Sequence, residues 1–447
     1  MRWDDRAVRT ALGLPGGAEG PAYTAIVTDT RTLAPGALFV ALAGERFDGH
    51  RFLDVARDAG AIAAVVRADT ADVPGLILYR VEDTLRAYGW LARHRRRQLR
   101  GPVVGVTGTN GKTATKEMLA AALATRFRVH ATRLNLNNLV GVPQTILEAP
   151  ESIEALVVEA GANLPGEIAR YREIIEPSVA VITNVAQGHL EGFGSVEGVR
   201  AEKLALAEGV PVVVIPSDDA ELLAGARARA GRVVTAGLER GDVVPTSVTL
   251  DPAGRARMIV DGIELRVSQF GLHQARNALL VWAVAKELGL DLAAVASALG
   301  QVSLPGGRGE LIQHGSLTVL NDSYNANPAS FRAVIEVARA MRGNRKLVFV
   351  AGTMRELGPE ASRWHADVAE ALVALDPDLL AAVGEFGPAL APFAGRLGER
   401  LLTAPDALSM GEQLAPRLKG DELVVLKGSR GVTLERMLPA LIARTAP

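Results

Sequence analysis

The residues best suited to chemistry stand together at Thr107-Gly108-Thr109-Asn110-Gly111-Lys112-Thr113. Gly108 and Gly111-Lys112-Thr113 carry the core of the nucleotide-phosphate pattern GxxxxGK[ST], with Val106 at that pattern's first glycine. An apolar run, Pro102 to Val106, precedes the loop and an alanine-rich helical stretch follows it. That is the strand, turn and helix context the pattern needs. Successive backbone N–H groups at a helix start make an anion nest. Lys112 adds a point charge for the β- and γ-phosphates, and Thr113 offers a hydroxyl to Mg²⁺. Gly108, Thr109, Asn110, Gly111, Lys112 and Thr113 are therefore read as a nucleotide-binding set.

Other polar groups sit where apolar runs end. Ala155 to Val158 leads into Glu159, Val179 to Ile182 into Thr183-Asn184, and Val210 to Ile215 into Pro216-Ser217-Asp218. In an open parallel sheet such carboxyl ends line one crevice, which is where ligands bind. A nucleoside triphosphate at Lys112 needs a divalent metal. Glu159 is a candidate ligand; its alternative role is a helix-start acid before Gly161. His189 could reach a metal or a transferring phosphoryl group, or serve as a loop hydrogen bonder. These features describe a phosphate-handling enzyme and leave kinase, ATPase, ligase and GTP-dependent switch open.

To position these groups, the 447-residue chain needs more than one core. We read three parts: 1–100, 101–305 and 306–447. Hydrophobic residues make up 48% of the chain but aromatics only 4%, so the interior is built from Ala, Val and Leu, which suits helices on parallel strands. Expected strands in the first part are Ala25–Val27, Ala37–Leu42, Ala61–Val66 and Gly75–Tyr79. In the second, Val243 to Val267 reads as an antiparallel edge or small β insertion before a helix over Gln274–Leu288. Gly306, Gly307 and Gly309 mark a hinge. In the third, Leu317–Leu320, Lys346–Val350, Leu379–Val383 and Glu422–Leu426 alternate with helices, again favouring a mostly parallel sheet.

Composition removes several function classes. The formal charge of −1 argues against nonspecific nucleic-acid adhesion. The one dense basic run, His94 to Arg100, is expected to be a solvated helix end. With no cysteine there is no disulfide, thiolate nucleophile or cysteine-bound zinc. The first residues do not read as a signal peptide and no apolar run is long enough for a bilayer, so a cytoplasmic protein without an integral membrane segment is expected.

Several longer stretches resemble the ATP-dependent Mur ligases of peptidoglycan synthesis. Gly105 to Thr113 is similar to that family's specialised phosphate loop, Val106 included, and Asn135-Leu136-Asn137-Asn138 with Gly141-Val142-Pro143 to its next loop. Thr183-Asn184-Val185 through His189 to Ser195 resembles the central motif, and Gly271 through Asn277 the segment near adenine. Asp322-Ser323-Tyr324-Asn325-Ala326-Asn327-Pro328 resembles the branch that adds D-alanyl-D-alanine to a UDP-N-acetylmuramoyl-tripeptide.

The resemblance implies a three-domain α/β fold with a central P-loop ATP-binding domain, a small N-terminal UDP-substrate domain and a Rossmann-like C-terminal domain. It implies ATP and two Mg²⁺ ions organised by Thr113, Glu159, His189 and Lys203, the last as a carbamate formed with CO₂. Spacing alone would make Lys203 an exposed helical residue. By the same resemblance Lys112, Glu159, His189 and Lys203 are catalytic, Asn277 contacts adenine, and Arg308 and Asp322 approach ATP. Asp29, Thr30, Arg31, Gly44, Asp48, Gly49 and His50 are expected to grip the UDP-muramoyl substrate. Tyr324, Asn325, Asn327, Lys427 and Arg430 are expected toward the incoming dipeptide or the closed ATP site, in a monomer. Departures from the family pattern include Thr30 for serine, Ala205 for an acid, and Thr353 for an aspartate. The rival readings are another Mur-type ligase, including the one adding the third residue, and a nucleotide-regulated scaffold.

Overall fold

Short Val, Ala and Leu runs become strands buried on both faces when helices cover the sheet, which is why they read as continuous rather than alternating hydrophobic segments. The structure, a computed structural model, describes residues 3–16, 20–44 and 47–443. The chain forms two compact units. One comprises Met1–Gly105, Phe127–Ala162 and Glu167–Ser178; the other comprises Val106–Arg126, Asn163–Gly166 and Val179–Pro447.

In the first unit, Ile26–Val27, Leu38–Val40, Ala63–Arg67 and Ile77–Val81 form a parallel sheet in that spatial order. The expected strands are all present, with Ala37–Leu42 shortened to its three central residues. A two-stranded hairpin, Ala43–Gly44 with Phe47–Asp48, was not foreseen. The helix Thr84–Arg96 packs closely on Glu167–Ile175: a Cβ added at Gly89 would lie 2.8 Å from Ile174 Cδ1.

The basic run ending that helix corrects the expectation of a solvated end. Arg95 is buried and donates to the Ala149 carbonyl at 3.1 Å, while Arg96 donates to the carbonyls of Ile175 and Glu176 at 2.7 and 2.6 Å. Arg93 and Arg97 both lie 2.7 Å from the Glu176 carboxylate. The charges serve the carbonyls at another helix's C-terminus, a contact favoured by the helix dipole and invisible to local sequence.

In the second unit, Val179–Ile182, Val212–Pro216 and Arg232–Ala236 pair in parallel. The weakly alternating region is a three-stranded antiparallel sheet of Ser247–Leu250, Arg255–Val260 and Ile263–Phe270. The helix Leu272–Glu287 follows it and is buried from Asn277 through Ala285. The remaining sheet runs in the order Glu310–His314, Leu317–Asp322, Leu423–Lys427, Leu347–Gly352, Leu379–Val383 and Leu401–Ala404. Only its first pair is antiparallel. The first and last of these strands were not expected; both are edge strands with partly exposed sequences, so their hydrophobic pattern is weak. The register sets Asp322 opposite Lys427. Among the described residues no helix is long and apolar enough to cross a membrane.

Candidate active site

The phosphate loop is shaped by two glycines. Gly108 has φ +142°, and a Cβ there would lie 2.0 Å from Thr183 Oγ1. Gly111 caps the helix Lys112–Ala124 in the left-handed region, with the Asn277 amide 2.8 Å from where its Cβ would be. No side chain fits either position. The segment Thr183–Ala186 holds the loop from one side: Thr183 Oγ1 donates to the Asn110 carbonyl at 2.6 Å, and the Asn110 N–H donates to Asn184 Oδ1 at 3.0 Å. Lys112 Nζ donates to the carbonyls of Gly108 and Thr109, each at 2.9 Å. The ammonium thus lies folded over its own loop. Thr113 is buried at the helix start.

A cavity of about 540 Å³ opens beside this loop, within the range of small-molecule sites. It gathers many expected residues: Asn110, Gly111, Thr113, Asn277, Arg308, Asp322, Tyr324, Asn325 and Lys427. Lys112, Gly108, Thr109, His189, Lys203, Asn327 and Arg430 do not line it. It is also lined by Ser217, Asp218 and His273, and by Gly237 to Arg240, which sequence reasoning missed. The first two follow a strand whose polar end had been noticed, so the crevice rule carried the signal. Loss of water around His273 pushes its pKa down to about 4, so the ring is neutral at pH 7.

The wall from the C-terminal sheet is electrostatically organised. Lys427, 3% exposed, lies 2.7 Å from Asp322 Oδ2 and donates to the Asn325 carbonyl at 2.6 Å. Two guanidinium groups lie over the Tyr324 ring, Arg308 3.5 Å and Arg430 5.2 Å from its centroid. The Asn327 amide exchanges hydrogen bonds with the Asn110 amide, at 2.8 and 3.2 Å, while its oxygen also caps the helix Pro328–Arg342. Thr353, where the family pattern has an aspartate, accepts the Glu385 N–H at 3.0 Å through its hydroxyl.

His189 has φ +54° and its Nδ1 lies 2.5 Å from Glu356 Oε2. That contact holds the Glu356 carboxyl below the usual range. Lys203 is 1% exposed, contrary to what spacing alone suggests, and its ammonium lies 5.3 Å from the Phe193 ring centroid. Its burial follows from Val199, Glu202 and Lys203 sharing one helix face. Glu159, in the other unit, is likewise 1% exposed and accepts from Asn137 Nδ2 at 2.8 Å. Among the described residues no three His, Asp or Glu side chains form a metal cluster.

The N-terminal set splits into two turns. Asp29 caps the turn Thr30–Thr32, and Arg31 closes a fork on it, with Nη2 2.6 Å from Oδ2. That bond takes the Asp29 pKa down to about 2, yet the exposed pair opens cheaply. His50 is internally engaged: Nδ1 lies 2.7 Å from Asp48 Oδ1, and Nε2 accepts the Arg67 N–H at 3.0 Å. Gly49 lies against the Leu42 backbone, with no room for a Cβ. Gly44 pairs with Phe47 in the hairpin.

Three family descriptions match along the chain: "Mur ligase family, catalytic domain" at residues 22–96, "Mur ligase middle domain" at 106–285, and "Mur ligase, glutamate ligase domain" at 307–430. The UDP-N-acetylmuramoyl-tripeptide--D-alanyl-D-alanine ligase of Bacillus subtilis is 34% identical over 430 residues, 93% of each chain. The protein belongs to the Mur ligase family. Solved structures agree with this Mur ligase over its length. MurF from Acinetobacter baumannii superposes with TM-score 0.89 at 29% identity, covering 99% of both chains. The Thermotoga maritima MurF ligase in complex with ADP gives TM-score 0.82 at 29% identity, covering 94% of this chain and 97% of that one. The expected Mur ligase-like α/β architecture is therefore present, and this Mur ligase is an ATP-dependent enzyme.

Proposed function

We propose that this Mur ligase joins D-alanyl-D-alanine to the terminal carboxylate of a UDP-N-acetylmuramoyl-tripeptide in the cytoplasm, acting as a monomer. The carboxylate oxygen attacks the γ-phosphorus of ATP and ADP leaves. The dipeptide's free amine then attacks the resulting acyl phosphate, and phosphate departs as the amide forms. No enzyme nucleophile is needed; catalysis is alignment and charge stabilisation.

The observation that carries this reading is the cavity itself. One wall is the phosphate loop and another is the Asp322, Tyr324 and Asn325 stretch that resembles the dipeptide-adding branch. Lys112 leaves its loop carbonyls for the phosphates, a short swing for a flexible ammonium. Asn277 and the Gly237–Arg240 wall take the base, and Arg308 and Lys427 balance phosphoryl charge. The N-terminal turns, with Arg31 exchanging Asp29 for an anionic group, take the UDP substrate. Residues 1–100, 101–305 and 306–447 act as the three working parts, closing about Gly307 and Gly309, whose φ values are +75° and +70°.

Within the second unit the donor chemistry suits Mg²⁺: a hydroxyl at Thr113, the ring of His189, and Lys203 if carbamylated would hold it, with substrate phosphates supplying other oxygens. Held by these residues, such an ion would supply neutralisation of phosphoryl charge. The buried Lys203 suits a carbamate, because the modification replaces an enclosed cation with an oxygen donor.

The test is product formation. With Mg-ATP, D-alanyl-D-alanine and UDP-linked tripeptides ending in lysine or meso-diaminopimelate, mass spectrometry should find a pentapeptide from at least one. Hydroxylamine should trap the acyl phosphate. ATP turnover without either product would overturn the assignment.

A further inference from the structure

His365 lies on the helix Ala361–Leu375, 2% exposed, with both ring nitrogens engaged. Nδ1 donates to the Ala361 carbonyl at 2.7 Å, and Nε2 accepts the Met354 N–H at 2.9 Å. The partners fix the tautomer: a carbonyl only accepts and a backbone N–H only donates, so the proton sits on Nδ1. Burial keeps the ring's pKa below the ordinary histidine value, which preserves this neutral form at pH 7. Phe386 packs edge-on against the ring, with centroids 5.0 Å apart.

The ring thereby joins its own helix to the turn that leaves the strand Leu347–Gly352. Met354 stands in that turn between the two residues that hold the neighbouring one. The Thr353 carbonyl accepts the Ser429 N–H at 3.1 Å, and the Arg355 N–H donates to Ser429 Oγ at 2.9 Å. Arg355 Nη2 also donates to the Gly431 carbonyl at 3.1 Å. The strands that precede the two turns are paired, with Ala351 opposite Lys427, and a Cβ added at Gly428 would lie 3.2 Å from Gly352 Cα. The second turn includes Arg430, whose Nη1 donates to the Tyr324 hydroxyl at 3.3 Å, and Tyr324 lines the cavity. Hydrogen bonds and adjacent residues thus lead from a buried ring to the cavity wall.

We propose that His365 is a positioning residue for the ligation reaction: through the Met354 N–H it sets the turn 353–355, which holds the turn 429–432 and with it the place of Arg430 beside Tyr324, where the dipeptide is taken up. The inference rests on the dipeptide reading of that wall given above. The bond to Ala361 stays within one helix and orients the ring, whereas the bond to Met354 is the one that reaches the site.

The test uses two full-length variants that remove the same ring and keep different halves of its hydrogen bonding. Asn places its amide where Nδ1 stood, so His365→Asn keeps the Ala361 bond and loses the one from Met354. Gln reaches the place of Nε2, so His365→Gln still accepts the Met354 N–H and loses the Ala361 bond. Both lose the packing on Phe386, and their melting temperatures should fall by similar amounts. Amide hydrogen exchange read by mass spectrometry on peptides spanning 353–356 and 428–433 should be about tenfold faster in His365→Asn and within about twofold of wild type in His365→Gln. The KM for D-alanyl-D-alanine should rise about 3- to 10-fold in His365→Asn, the scale of one lost hydrogen bond, with kcat and the KM for ATP within about twofold. His365→Gln should restore the dipeptide KM. Equal exchange or equal dipeptide KM in the two variants would overturn the role, since the shared loss of packing would then account for the effect. Faster exchange in His365→Asn with an unchanged dipeptide KM would confine His365 to the fold and overturn it as well. A wild type that forms no pentapeptide would remove the ligase reading first, and this role with it.

Discussion

At the scale of single residues, Lys112 and His273 show how the cavity manages charge. Lys112 is held by two carbonyls of its own loop, which keeps the ammonium beside the place where phosphate charge must be met. Lys112→Ala should cut phosphate release by about 10²- to 10³-fold, the usual cost of removing one preorganised electrostatic donor. A coupled ADP assay measures it, and an unchanged melting temperature would show that the fold is intact. His273 gives a pH prediction. Its folded pKa, about 4, lies below the ordinary histidine value of 6.5, so the unfolded chain binds the proton first as pH falls. Stability from this residue is complete above pH 6.5, declines toward pH 4 and is flat below. The full displacement corresponds to about 3 kcal/mol, and the ring's partial opening to the cavity lowers that to about 1 kcal/mol. Urea titrations of wild type and His273→Asn from pH 7 to about 4 should diverge by that amount.

At the scale of elements, the helix Pro328–Arg342 is tied to the phosphate loop through its first turn. Asn327 caps the helix in a reciprocal arrangement with Ser330 and also exchanges amide hydrogen bonds with Asn110. The two roles separate by substitution. Asn327→Ser keeps a good cap and should leave stability within about 0.5 kcal/mol, whereas Asn327→Ala should cost about 1 kcal/mol. Both should lower kcat/KM, because both lose the pair with Asn110. A double-mutant cycle with Asn110→Ala should return a coupling of about 0.5 to 1.5 kcal/mol in nucleotide binding; a value near zero would show that the amide pair does not help form the site. Lys203 belongs to this scale too. A helix face shared with Val199 buries it, and Lys203→Ala should abolish metal-dependent turnover, read in a coupled ADP assay across a Mg²⁺ titration.

At the scale of the whole molecule, nucleotide binding should be visible as stability. An ATP analogue with Mg²⁺ at about 100 times its Kd should add about 2.7 kcal/mol to the unit that binds it, read as an upward shift of its calorimetric transition and absent in Lys112→Ala. The phosphate loop was legible from the chain because strand, glycines and helix start are contiguous, and the parallel strands because each buries its own short apolar run. The Tyr324 stretch was legible as a resemblance. Glu356, Arg95 and the wall formed by Gly237 to Arg240 were not, since their partners lie tens to hundreds of residues away and no local period marks them. Lys203 was misjudged by local pattern for the same reason, being enclosed by packing. Sequence determined which backbone turns exist, because glycine sterics and apolar runs act over a few residues. Tertiary structure decided which charges meet, because hydrogen bonds and burial depend on distance in space.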